Sequence, residues 1–257
     1  MGLVEGVGSI LAEKFVFFPL KVLEFYPSQL QIPYQDIRFK NGEDLTLHGW
    51  FFPGKRDQTL LFLHGNAGNI GSRLDKVRHL KRIGWNIFIF DYRGYGGSEG
   101  TPTVEGVLRD SETALRYLVE TCKIPNEQII LFGESLGGAL AVDLATREPL
   151  GGVILESTFT SLREISKRLY PFIPAAVVPD TYRSIDLIRK IKAPLLVIHG
   201  TDDEMIPFEM GRGLFNAAPH PKRFYGIPKA KHTDTFLAGG SEYLKQIEEF
   251  LTEVGLP

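Results

Sequence analysis

One cysteine, Cys122, stands in a chain of 257 residues. An intrachain disulfide is therefore excluded, and so is any metal site built on several thiolates. Such usage fits a reducing compartment. Neither sign of charge is in excess, and the formal net charge of −2 offers no basic footprint for nucleic acid. There is no internal repeat and no low-complexity tract. Nucleotide-binding loops are missing too, since the glycines form no G-x-G-x-x-G and no Walker lysine motif. A long unbroken apolar run is also absent. The nearest approach is Leu3 to Leu30, with Ile10, Leu11, Phe15, Val16, Phe17, Phe18, Leu20, Val22, Leu23 and Phe25. Glu13, Lys14, Lys21 and Glu24 interrupt it and Pro19 breaks it, so it falls short of the ~20 apolar residues of a spanning helix. With no basic start and an acid at Glu5, it does not read as a secretory signal. Two placements remain for residues 1–30: a helix packed on the domain, or an interfacial segment resting on a membrane.

What the chain does hold is ordinary globular material. Hydrophobic residues make up 43% and charged residues 23%, enough for a large core in one α/β domain. Its centre of organisation is Gln128 to Ala141. Ile129 to Phe132 reads as a buried strand, and Ala139, Leu140, Ala141, Leu144 and Ala145 read as a tightly packed helix. Between them lies Gly133-Glu134-Ser135-Leu136-Gly137, a G-x-S-x-G pattern. A serine on a sharp strand-to-helix turn leaves no room for side chains two residues away, and the new helix brings a positive potential to its hydroxyl. Ser135 is the candidate nucleophile.

The rest of the chain alternates strand and helix. Asp36–Lys40 and Leu45–Phe52 read as strands around an Asn41-Gly42 turn. Leu60–Leu63, Asn86–Phe90, Gly152–Leu155, Leu195–Ile198 and Phe224–Tyr225 read as further strands. Helices are expected over about 70–83, 104–122 and 242–254. This order predicts a mostly parallel, doubly wound sheet with its strand ends, and its site, on one rim.

Three rim loops carry the chemistry. In His64-Gly65-Asn66-Ala67-Gly68-Asn69, the backbone N–H of Asn66 is a candidate oxyanion donor, and that of Leu136, just after the serine, is the other. His64 itself reads as structural. His199-Gly-Thr-Asp-Asp-Glu204 offers three carboxylates, Asp202, Asp203 and Glu204. Ala230-Lys-His-Thr-Asp234 brings His232. The order Ser, Asp, His differs from those of chymotrypsin and subtilisin. His48, His79, His199 and His220 read as surface or core residues.

These motifs, with Asp91-Tyr-Arg-Gly-Tyr-Gly-Gly-Ser98, resemble the α/β-hydrolase superfamily from Gln35 to Val254. The pairing with His64-Gly-Asn-Ala-Gly-Asn69 is similar to a small-lid branch of membrane-associated acyl-protein depalmitoylases and their bacterial serine-aminopeptidase-like relatives. The resemblance implies an α/β-hydrolase fold of about eight strands, with a catalytic triad of Ser135, Asp203 and His232. It makes Asp203 the acid, three residues after the glycine of His199-Gly200, and leaves Glu156 structural. The Asp91–Ser98 loop is expected to buttress the oxyanion hole. The chemistry implied is hydrolysis of a carboxylic ester or thioester through an acyl-enzyme, and it calls on no metal or cofactor. The region at about 158–190, with Leu162, Ile165, Leu169, Tyr170, Phe172, Ile173, Val177 and Val178, is expected to form a small helical lid over residues 31–257. Its apolar underside would favour an apolar, lipid-like acyl group. A peptidase and a non-catalytic module on the same fold are the alternatives. The expected location is the cytoplasm or the cytoplasmic face of a membrane.

Overall fold

In the computed structural model, residues 16–174 and 178–255 are described. The strands are β1 (Phe18–Pro19), β2 (Gln35–Lys40), β3 (Thr46–Phe52), β4 (Thr59–Leu63), β5 (Ala67–Gly68), β6 (Asn86–Asp91), β7 (Ile129–Glu134), β8 (Gly152–Glu156), β9 (Leu195–Gly200) and β10 (Lys222–Ile227). Eight of them form one sheet in the order β10-β9-β8-β7-β4-β6-β3-β2. Pairing is parallel except where β3 meets β2 and β6. The α-helices are α1 (Leu74–Leu80), α2 (Val104–Arg116), α3 (Leu136–Ala145), α4 (Leu162–Leu169), α5 (Ser184–Leu187), α6 (Phe208–Ala217) and α7 (Thr235–Glu253).

The central strands are apolar through their middles because both sheet faces are covered. Along β4, Leu61 and Leu63 enter one core layer while Leu60 and Phe62 enter the other. β7 divides in the same way, Ile129 and Leu131 against Ile130 and Phe132. Helix α3 is buried along almost its whole length, and its small residues allow the close approach. A Cβ on Gly137 would fall 1.9 Å from the carbonyl oxygen of Leu63.

Several elements differ from the periodicity. Val104–Cys122 is α-helical only to Arg116 and ends in a π turn, with the Cys122 N–H reaching the Tyr117 carbonyl. Cys122 is exposed there. The segment expected as one helix over 70–83 has 3-10 turns at both ends of α1. The last helix begins at Thr235, ahead of 242, and bends at Gly240, whose φ is 53°. The Asn41-Gly42 turn is a longer loop to Leu45, tied by the Asn41 side chain, which accepts from the N–H groups of Glu43 and Leu45.

The N-terminal segment departs most. Residues 16–26 carry no helix; they form an extended strap along the rim, in which β1 pairs in parallel with β5. Val16 and Phe17 are buried, whereas Phe18, Leu20, Val22 and Phe25 are exposed. Ile10, Leu11 and Phe15, like Val177 of the expected lid, lie outside the described residues. Among the described residues no helix is long and apolar enough to cross a membrane.

Candidate active site

Six mutually parallel strands deliver their C-terminal ends to the rim: β4, β6, β7, β8, β9 and β10. At the end of β7, Ser135 has φ 55° and ψ −115°, a conformation that costs an L-residue energy and persists only where neighbours enforce it. The neighbours do so here through hydrogen bonds and close packing. The Ser135 N–H donates to the Glu156 carbonyl at the end of β8, and the Thr158 hydroxyl donates to the Ser135 carbonyl. Gly133 lies against Gly138, where any added Cβ would collide with backbone.

The loop after β9 holds Asp203 and the loop after β10 holds His232. His232 Nδ1 stands 2.8 Å from Asp203 Oδ2, and its Nε2 stands 3.2 Å from Ser135 Oγ. An ionised carboxylate can only accept, so Nδ1 carries the proton and a neutral ring leaves Nε2 as an acceptor for the serine hydroxyl. Burial works to raise the pKa of Asp203. Hydrogen bonds from His199, His232 and the Ile206 N–H outweigh it and hold the carboxyl well below the usual carboxylate range. Asp202 is exposed and takes a bond from the neighbouring Thr201 hydroxyl. Glu204 is exposed, with one oxygen 3.4 Å from the His232 N–H. The sequence motifs thus meet in space: Ser135, Asp203 and His232 in one line, with Asn66 and Leu136 lining the same cavity.

That cavity is about 140 Å³. Leu162, Ile165 and Leu169 of α4 line it together with Val16 and Phe18 of the strap. Beside it, the peptide joining Gly65 to Asn66 is fixed in orientation. His64 Nδ1–H donates to the Gly65 carbonyl at 2.8 Å. Burial first, and then the charge of Arg73, push the His64 pKa down to about 4, so the ring stays neutral. The Asn66 carbonyl accepts from the Tyr95 hydroxyl at 2.7 Å, and the Tyr92 hydroxyl reaches the His64 carbonyl. The Asp91–Ser98 loop therefore backs the Asn66 loop directly.

Beneath the serine lies a group of charges that the motifs did not reveal. Buried Lys76 of α1 bridges Glu134 and Glu156. Arg73 joins Glu134, and the Thr235 and Tyr243 hydroxyls bind Glu156. Glu156 thus has its own partners, and Asp203 is the carboxylate on His232. Spacing gives no sign of this cluster, because Lys76 comes from a helix whose other residues read as an ordinary amphipathic face.

A parallel sheet with a left-handed serine at one strand end and a histidine and aspartate at two others defines the α/β-hydrolase class. The comparisons agree with this. Residues 54–183 match the family described as serine aminopeptidase, S33. The α/β-hydrolase domain-containing protein WAV2 of Arabidopsis thaliana is 36% identical, over 96% of this chain and 90% of WAV2. Protein bem46 of Schizosaccharomyces pombe is 35% identical, over 88% of this chain and 79% of its own. Among solved structures, the Pyrococcus furiosus esterase Pf2001 superposes with a TM-score of 0.77 at 22% identity, covering 93% of this chain and 99% of the esterase. An α/β hydrolase from Vibrio vulnificus gives 0.75 at 22%, covering 97% and 94%. The chain belongs to the serine aminopeptidase S33 family of α/β hydrolases.

Proposed function

We propose that the protein is a serine hydrolase that cleaves carboxylic esters or thioesters of apolar acyl groups through an acyl-enzyme on Ser135. One observation carries the reading: Asp203, His232 and Ser135 stand in hydrogen-bonding sequence at the mouth of an apolar cavity. His232 Nε2 takes the hydroxyl proton as Ser135 Oγ attacks the acyl carbonyl, and Asp203 holds the imidazole in the required tautomer and stabilises its charged form. The N–H groups of Asn66 and Leu136 receive the oxyanion. The proton passes from His232 to the leaving alcohol or thiol. Water, deprotonated by the same ring, then releases the acid.

The cavity suits a short to medium apolar acyl chain. For a peptidase reading, the carboxylate nearest the nucleophile in sequence is Glu134, and Arg73 and Lys76 already engage it. The mouth also carries exposed Phe18, Leu169 and Met205, and Leu20, Val22 and Phe25 of the strap and Phe172 after α4 are exposed as well. Lys167 and Arg168 are exposed on α4 beside them. This collar supports peripheral contact with a membrane as part of the same proposal.

A fluorophosphonate should label Ser135, and p-nitrophenyl esters should be hydrolysed while matched p-nitroanilides are not. Ser135→Ala should fold and lose roughly 10⁶ in turnover. Labelling that persists in that variant would overturn the assignment, and faster anilide than ester cleavage would favour the peptidase.

A further inference from the structure

We infer that the strap is part of the catalytic apparatus. Asn66 and Asn69 act as its clasp, and strap residues 16–22 position the Asn66 oxyanion donor while closing the acyl cavity. The inference rests on the serine hydrolase reading and extends it to a segment outside the strand-and-helix scaffold.

The two asparagines of His64-Gly-Asn-Ala-Gly-Asn69 spend their side-chain donors on the strap backbone. Asn66 Nδ2 donates to the Val16 carbonyl at 2.9 Å. Asn69 is buried, and its Nδ2 donates to the carbonyls of Leu20 at 3.0 Å and Val22 at 2.8 Å. The strap returns bonds to the same loop: Phe18 N–H to the Asn66 carbonyl and Leu20 N–H to the Gly68 carbonyl, both 3.0 Å. The Asp91–Ser98 loop adds two more, from the Gly96 N–H to the Leu20 carbonyl and from Lys21 Nζ to the Ser98 carbonyl. Both glycine-rich motifs of the sequence thus converge on one extended segment.

The consequence for the site follows from what each group of Asn66 is bonded to. Its carbonyl is held by Phe18 N–H and by the Tyr95 hydroxyl, and its side chain by the Val16 carbonyl. Its N–H takes no part in these bonds. Removing the strap takes away two of these three bonds; the peptide that carries the donor keeps its tie from His64 to the Gly65 carbonyl, but its Asn66 end is freed and the aim of the donor loosens. Oxyanion stabilisation depends on donors that are preorganised, so a displacement on the order of 1 Å costs up to about 10²-fold in rate. The same event strips Val16 and Phe18 from the cavity wall, which acts on substrates with long acyl chains and spares short ones. Two effects are therefore coupled: a fall in kcat common to all esters, and a rise in KM that grows with acyl length.

Asn69→Asp tests the clasp away from the reacting atoms. A carboxylate keeps the acceptor that Asn69 Oδ1 offers to the Gly71 N–H at 3.0 Å, while losing both donors to the strap. Leu20→Pro is the second variant, removing the N–H bonded to Gly68 at an exposed side chain. Active sites are titrated with a fluorophosphonate, so that unfolded protein is not counted, and p-nitrophenyl acetate and octanoate are compared in the full chain. Per titrated site, kcat should fall about 10-fold or more on both esters, and KM should rise for octanoate only. Unchanged kcat and KM in both variants would overturn the inference. So would a loss that vanishes on correction for titrated sites, which is the mark of a purely structural role. A parent enzyme that does not titrate at Ser135 would overturn the underlying hydrolase reading instead.

Discussion

Asp203 gives one carboxylate oxygen to His232, at 2.8 Å from Nδ1, and keeps the other for its own loop. Oδ1 accepts from the N–H groups of Met205 at 3.0 Å and Ile206 at 2.8 Å. The backbone therefore fixes the carboxylate before the histidine is considered. His199 Nε2, at 3.4 Å from Oδ2, adds a second positive edge.

This geometry separates the adjacent acids. Asp203→Asn should lower kcat by about 10⁴, because an amide favours the wrong imidazole tautomer. Asp202→Asn should cost little, since its side chain is exposed and accepts from the Thr201 hydroxyl, while Asp203 is the acid on His232. Steady-state kinetics on one p-nitrophenyl ester decides between them. A larger loss in the Asp202 variant would move the acid by one residue.

The buried charges under the serine predict an acid limit to stability. Burial alone would raise the Glu134 pKa, but Lys76 and Arg73 bring it far below its ordinary value of 4.5. The unfolded chain titrates near that ordinary value, so the stabilisation is complete above it and is lost as pH falls toward the folded pKa. Asp203 has the same sign. Tm should thus be level near neutrality and drop below about pH 4.5. Glu134→Gln should lower Tm at pH 7 and flatten the acid slope. Breaking a buried pair costs about 3–5 kcal/mol, an upper bound here because Lys76 keeps Glu156. Thermal melts of parent and variant that run parallel from pH 3 to 8 would contradict this.

Membrane contact is checked with residues away from the chemistry. Phe25 and Phe172 are 55% and 71% exposed, and neither lines the cavity. Replacing both with Glu should weaken co-sedimentation with phosphatidylcholine–phosphatidylserine vesicles by about tenfold or more, the scale of withdrawing an aromatic ring from an apolar phase. Hydrolysis of the soluble acetate ester should be unaffected. Equal binding by parent and variant, or none by the parent, would end the proposal.

The sheet was legible because its central strands are apolar through their middles and its turns carry glycine. The serine turn was legible because two glycines sit where no side chain fits. The strap was not. An extended segment docked through carbonyls onto two asparagine side chains has no period, and its bulky apolar residues read as a packed helix or an interfacial segment. Helix α7 was placed too late because Gly239 and Gly240 look like a boundary, whereas the chain bends there and continues. Lys76 was missed because a lysine on a helix face is normally solvated, and only the fold brings Glu134 and Glu156 beneath it.

The sheet ends in β2 on one side and β10 on the other. Along β2, Asp36, Arg38 and Lys40 are exposed at alternate positions, and Ile37 and Phe39 turn inward. Charges spaced this way discourage a second copy from adding its own strand to the open backbone. At the far edge, Lys222 spends its ammonium on the carbonyls that end α6, and Arg223 is bound to Glu249 and Glu253 of α7. The two flanks of the sheet are thus finished differently, one by charges left facing solvent and the other by charges tied to the flanking helices.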